Sequence, residues 1–172
     1  MTDWQRTGLR WLGAVSLIWL LWWCSTTFLA SHNTQMQRAH EAFVQHLADR
    51  DWNDVDDYFS NDYSDMWGQD SESAKKTARL LLQHFIFISI QNDIKHVRAA
   101  SGIGYVKTRL IVEGTGAGIS SFVVAESKRV KEPWVFHWKK TGRWPWSWQI
   151  VSVANPALEG YRIPKNLDLD AP

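Results

Sequence analysis

The feature that most constrains this chain is a change of period at Phe85. Upstream, apolar side chains recur at the 3.6-residue spacing of helices; downstream they alternate as in strands. Met36, Ala39, Phe43, Val44 and Leu47 fall on one helical face. Asp51–Phe59 reads as a short helix that turns Trp52, Val55, Tyr58 and Phe59 inward. Asp70 or Ser71 is placed to cap a third helix, with Glu72 in its first turn and Ala74, Ala78, Leu81, Leu82 and Phe85 on its buried face. Beyond it, Ile86–Arg98 reads as a strand with an irregularity at Gln91–Asp93, and Ser101-Gly102 as a turn. A second strand covers Ile103–Glu113. Gly114–Gly118 then turns the chain into a long strand, Ile119–Val130. Trp134–Lys140 and Trp146–Asn155 form a last hairpin around Thr141-Gly142, with Pro133 and Pro145 at the strand entries. Helices followed by antiparallel strands predict an α+β fold, its helices on one face of a curved sheet.

A second constraint lies ahead of this domain. Trp11–Ala30 is twenty residues without a charge. At about 1.5 Å per residue a helix of that length spans a hydrocarbon core of ~30 Å. Arg6 and Arg10 precede the run, and the first charge after it is Arg38. That asymmetry predicts a cytoplasmic N-terminus and a domain outside. Cleavage after Ala30 or Ser31 would place Phe28 or Leu29 where a small residue is needed, which favours a retained signal anchor. Cys24 follows Trp22 and Trp23 rather than the small residues expected before a lipidated cysteine, and reads as a buried side chain in lipid. The expected organisation is a cytoplasmic N-terminus over 1–10, a transmembrane helix over 11–30, a domain over 33–157 and a polar tail over 158–172. The expected location is the cell (inner) membrane, crossed once.

Of the 19 Lys and Arg and 18 Asp and Glu, all but Arg6, Arg10 and Asp3 lie in the domain or tail, so that region is balanced in charge. Such balance argues against nucleic acid as the main partner. Cys24 is the one cysteine of the chain, which excludes intrachain disulfides.

The order of elements then carries a resemblance. Ala42–Tyr63, "AFVQHLADRDWNDVDDYFSNDY", an extended piece at Tyr63–Trp67, a third helix, and a run of strands closing on "WSWQIVSV" at Trp146–Val153 resemble the nuclear transport factor 2-like (NTF2-like, SnoaL-like) superfamily. The resemblance spans Gln35–Asn155. It implies a cone: three helices packed on a strongly curved antiparallel sheet around a pocket, with dimers formed through the sheet. Members include isomerases, dehydratases and hydrolases beside binding and assembly modules. The chain presents no matching catalytic set.

Four features remain as candidates for chemistry. Glu41–Glu72 holds ten carboxylates and one base, Arg50. Asp49, Asp51 and Asn53 begin like a calcium loop, but Asp54 stands where glycine is needed and Ser60 where glutamate closes the loop. Asp62 and Asp65, beside Tyr63 at the expected mouth of the cone, are the candidate catalytic carboxylates. Tyr58, Tyr63, Trp67, Trp138 and Trp148 are the candidate pocket lining. His46, His84 and His137 show no metal-ligand spacing, and neither a metal nor a cofactor is expected. "EGTGAG" at Glu113–Gly118 lacks the Lys-Ser/Thr of a phosphate loop and reads as a hairpin turn opening a strand. Finally, Trp134, Trp138, Trp144, Trp146 and Trp148 crowd the last hairpin, with Lys139, Lys140 and Arg143 at its tip. Trp144, Trp146 and these three cations form the candidate interaction surface.

These features suggest a membrane-anchored binding or assembly module with an extracytoplasmic domain. Its expected partners are an envelope protein or a second copy met through the sheet, a build that resembles secretion-system assembly factors. The alternative is a pocket enzyme (lyase, isomerase or hydrolase) for a small hydrophobic substrate, with Asp62 or Asp65 as base and Tyr58 or Tyr63 as hydrogen-bond donor.

Overall fold

In the computed structural model, which describes Trp19 and residues 30–160, the helical stripe of the N-terminal half becomes α1, His32–Asp49. Ser31 caps it by accepting from Thr34 N, and Arg50 ends it in the left-handed conformation with φ 59°. α2 follows at Trp52–Asp57 and α3 at Ser71–Leu82. Asp70 is the cap of α3, its Oδ1 accepting from Ser73 N at 2.8 Å. Phe85, expected on the helix, instead opens the first strand. β1 (Phe85–Ala100) and β2 (Ile103–Gly116) pair antiparallel along almost their whole length through a turn in which Ser101 and Gly102 both have positive φ. β3 (Trp134–Lys140) and β4 (Trp148–Ala154) complete a four-stranded antiparallel sheet in the order β1-β2-β3-β4. No helix among the described residues is long and apolar enough to cross a membrane. Trp11–Ala30 falls, apart from Trp19 and Ala30, outside the described residues, as do 1–10 and 161–172.

The one element misjudged from sequence lies between β2 and β3. Ser120–Arg129 is a helix, α4, not the strand expected over Ile119–Val130. "Ile-Ser-Ser-Phe-Val-Val" favours a strand locally, but the following "Ala-Glu-Ser-Lys-Arg" favours a helix. Tertiary need decides. β3 pairs with β2 only from Ile103 to Thr108, which leaves the rest of that β2 edge without a strand. α4 packs there, and Ser127 Oγ accepts from Val112 N at 3.0 Å while donating to Val124 O at 2.9 Å. The glycines of "EGTGAG" are correspondingly part of β2 and its exit into a helix, not a turn between strands. A Cβ on Gly114 would lie 2.2 Å from Phe87 O, and one on Gly116 would lie 2.2 Å from His84 O. These glycines let β1 and the chain before it approach closely.

α1 lies across the inner face of the sheet. Met36, Phe43, Val44, Val55, Tyr63, Val106, Phe136, Trp138, Trp148 and Ile150 form one continuous core. Leu82, Phe85 and Ile88 form a smaller one where α3 meets β1. Trp138 and Trp148 are each 1% exposed, so two of the hairpin's five tryptophans belong to the interior. Beside β4, the segment after α2 runs parallel and covers the edge: Ile150 N donates to Tyr58 O at 2.7 Å and Ser64 N to Val151 O at 3.0 Å. β1 is irregular at Phe85/Phe87 and Ile94/His96, which bends and twists it locally. Side chains satisfy its ends. Arg50 Nη1 donates to Phe85 O at 2.7 Å, and Ala99 N donates to Asn33 Oδ1 at 2.6 Å.

Three stability predictions follow from this packing. Trp138→Ala is expected to cost about 3–5 kcal/mol, as for other large buried aromatics. Trp144→Ala, at a site 55% exposed, is expected to stay within about 0.5 kcal/mol. Chemical unfolding of both variants measures the difference. Ser127→Ala leaves the Val112 amide without its partner and is expected to cost about 1–3 kcal/mol in the same assay. No loss there would mean that α4 does not secure the β2 edge.

Candidate functional site

The loop after α2 organises itself around Asp65. Its Oδ1 accepts from Trp67 N at 2.9 Å and Gln69 N at 2.8 Å, and its Oδ2 accepts from Tyr63 Oη at 3.3 Å. The carboxylate is therefore spent on the backbone of its own loop. Burial, and then the charge and hydrogen bond of Asp65, raise the Tyr63 hydroxyl far above its ordinary range, so it stays protonated. Asp62 is exposed, with Oδ2 3.6 Å from Lys139 Nζ. Trp67 packs against Trp134 at 6.0 Å between ring centroids. Asp62, Tyr63, Asp65 and Trp67 thus form a structural loop.

A cleft of about 260 Å³ opens elsewhere, lined by His46, Asp54, Asp57, Tyr58, Trp146 and Trp148. It sits where the end of α1, Asp54 and Asp57 of α2, and the β3–β4 connection meet. One wall carries carboxylates and the other indoles. Tyr58 is raised above its ordinary value, first by burial and then by Asp54 and Asp57, and so offers a protonated hydroxyl. His46 Nδ1 lies 3.4 Å from Asp54 Oδ2 and 3.9 Å from Asp51 Oδ2. This nitrogen and the two carboxylate oxygens lie within 4.8 Å of one another, a grouping able to hold a cation. The spacing His-x4-Asp-x2-Asp across a helix end and the next helix start was the available sequence signal. Of the expected pocket lining, Tyr58 and Trp148 reach this cleft. Trp138 lies in the core, and Tyr63 and Trp67 lie in the Asp65 loop.

A fully buried histidine lies outside the residues singled out from sequence. His40 has no exposed surface and sits 4.8 Å from Phe136 and 5.9 Å from Trp138, edge to face with both. Neither ring nitrogen has a well-formed hydrogen bond among the described residues. Asn92 is the polar group beside it, and Asn92 Oδ1 already accepts from Thr108 Oγ1 at 2.6 Å. Burial lowers the His40 pKa to about 4, only partly offset by Asn92. Position 40 lies four residues after Met36 and three before Phe43, so the helical stripe itself marked it. His137 faces the outer side of β3, opposite Phe136 and Trp138.

The β3–β4 connection presents the other candidate residues. Trp144 and Trp146 stack at 5.3 Å with 13° between their planes, and are 55% and 59% exposed. Pro145 between them is buried. Thr141 N donates to Ser147 O at 2.8 Å and Trp148 N to Trp146 O at 2.8 Å, which holds the loop's shape. Lys139 and Arg143 are exposed. Lys140 points inward: its Nζ donates to Gln35 Oε1 at 2.7 Å and lies 5.9 Å from the Trp148 ring.

No family model matches the chain, and no curated protein matches it. Solved structures do. Bd1075 of Bdellovibrio bacteriovorus superposes with a TM-score of 0.53 at 12% identity over 71% of this chain. This chain spans only 39% of the length of Bd1075. A conserved protein from Planctomyces limnophilus superposes with a TM-score of 0.51 at 10% identity, over 71% of this chain and 95% of that one. A Streptomyces avermitilis protein of the NTF2-like family, whose name offers dehydratase as a provisional assignment, gives 0.50 at 13% identity, over 70% and 91%. The fold is NTF2-like. Identities this low carry the fold and nothing finer. The NTF2-like frame of this chain includes α4, beyond the three helices expected.

A pH dependence follows from His40. Its folded pKa is lowered, so the unfolded chain binds the extra proton, and stability falls as pH drops from about 6.5 toward 4. The full difference corresponds to about 3 kcal/mol. His40→Leu is expected to remove most of the loss seen between pH 6.5 and 5, measured by chemical unfolding at each pH. An unchanged slope in that variant would assign the effect to other groups.

Proposed function

We propose that this chain is a membrane-anchored module that binds or assembles envelope proteins, carrying its NTF2-like domain outside the cytoplasm. The observation that carries this reading is the filled interior. Met36, His40, Phe43, Phe136, Trp138 and Trp148 occupy the space between α1 and the sheet, where a pocket enzyme of this fold would admit its substrate. The chemistry offered to a partner is on the surface instead. The cleft joins carboxylates of Asp54 and Asp57 to the rings of Tyr58, Trp146 and Trp148, a combination suited to a basic side chain or ammonium group of the partner. The uncharged Trp11–Ala30 run, with arginines before it, supports single-pass anchoring in the inner membrane with the N-terminus in the cytoplasm. The pocket-enzyme alternative draws less support, because Asp65 is committed to its loop and Asp62 is exposed beside Lys139.

The test is affinity purification of the full chain from membranes in mild detergent after cross-linking, with sizing of what accompanies it. A defined complex is expected, and the double variant Asp54→Asn/Asp57→Asn should lower partner recovery about five-fold or more without changing the unfolding midpoint. Recovery of a monomer alone, or of the same complex from the double variant, counts against the cleft as a binding site.

A further inference from the structure

One end of the domain gathers three segments that are far apart in sequence. Gln35 Nε2 donates to Ala30 O at 2.8 Å and Gln35 Oε1 accepts from Lys140 Nζ at 2.7 Å. Lys140 N donates to Gly102 O at 2.7 Å, and Asn33 Oδ1 receives Ala99 N at 2.6 Å. The His32 ring lies 6.1 Å from the Trp148 ring. The start of α1, the β1–β2 turn and the β3–β4 loop therefore meet where the chain emerges from the uncharged run.

Their composition is one-sided. Residues 30–40, 97–104 and 139–148 contain Arg38, Arg98, Lys139, Lys140 and Arg143 and no Asp or Glu. The chain as a whole carries a net charge of +1, so this is local segregation rather than a basic protein. Three large apolar side chains are exposed at the same end: Ile103 at 64%, Trp144 at 55% and Trp146 at 59%. Ile103 pairs with Lys139 across β2 and β3, which sets an apolar side chain beside a cation. Carboxylates border this end on one side only: Asp62 faces Lys139, and Asp54 and Asp57 face Trp146 and Trp148 across the cleft.

The geometry points to this end as a docking face for an anionic bilayer surface. Trp144 and Ile103 enter the headgroup region, and Arg143, Lys139 and Arg98 meet lipid phosphates, while Trp146 borders the cleft it shares with Asp54 and Asp57. The face combines the two ingredients of interfacial binding, indoles that prefer the headgroup boundary and cations attracted to anionic lipid. The occupant is set by where the chain leads. α1 starts at His32, two residues after Ala30, so a span over Trp11–Ala30 holds this face against the lipid with no linker between. The inference rests on the anchoring reading above. It adds that the domain lies down on the membrane by one defined end, with β2 running away from the surface from Ile103 to Gly116.

The experiment uses the full chain with Cys24→Ala, carrying one new cysteine at Ile103 or at Thr115, labelled with an environment-sensitive fluorophore. The two sites are roughly 40 Å apart along β2. The chain is reconstituted in vesicles of brominated phosphatidylcholine with about one-third phosphatidylglycerol. Quenching by the brominated chains is expected to be about three-fold stronger at Ile103 than at Thr115, and to fall about two-fold with Lys139→Glu/Arg143→Glu or in high salt. Equal quenching at both sites in a chain that resists carbonate extraction overturns the docking face and leaves the anchor intact. A chain released by carbonate overturns the anchor, and the docking face with it. An Ile103 label shielded from aqueous quencher yet untouched by bromine also overturns the proposal, because protein rather than lipid then covers this end.

Discussion

The structure depends on the seating of α1 against β3 and β4 through Trp138. That indole meets Phe43 at 6.2 Å, Tyr58 at 6.2 Å and His40 at 5.9 Å, each nearly edge to face. One ring thus ties the first helix, the residue that ends α2 and the third strand. A large aromatic buried this way contributes several kcal/mol through area alone, and edge-to-face pairs add to it. The site inherits this arrangement. The cleft opens where Asp54 and Asp57 of α2 stand across from Trp146 and Trp148, with Tyr58 between α2 and Trp138.

The helical half was legible because its periods are long and its caps are local. Asp70 and Ser73 lie three residues apart, and the stripe from Met36 to Leu47 needs no knowledge of what it packs against. Strands β1 and β2 were equally visible, with a turn marked by Ser101-Gly102. α4 was not. Its first half carries Phe122, Val123 and Val124, and nothing local reveals that β3 stops pairing at Thr108 and leaves an edge to be covered. The glycines at 114 and 116 were read as a turn for the same reason: close approach to Phe87 O and His84 O is a property of the fold and not of the segment.

The candidate site was legible residue by residue but not as an assembly. Tyr58, Trp146 and Trp148 stood out, yet the partners that make a cleft of them, His46 and Asp54, looked like one more histidine and one more carboxylate in an acidic stretch. Asp65 stood out as a candidate base, and its hydrogen bonds to its own loop were not read. A carboxylate two residues from Trp67 N and four from Gln69 N is well placed to close a loop, and burial follows from that service. His40 was hidden by chemistry: a polar residue on an apolar stripe is discounted, though its neighbours Phe136 and Trp138 accept the neutral ring.

β1 is the longest strand, and among the described residues it has a strand neighbour on one side only. An open strand of 16 residues is a template on which further chains can polymerise. Here the template is interrupted. Asn33 occupies the amide of Ala99, Arg50 occupies the carbonyl of Phe85, and the irregularity between Ile94 and His96 breaks the row between them. The longest regular stretch left between them is Phe87–Ile94. Asn33 and Arg50, which fasten β1 to the start of α1 and to its C-terminal cap, thereby also block the two ends of its open edge against an added strand.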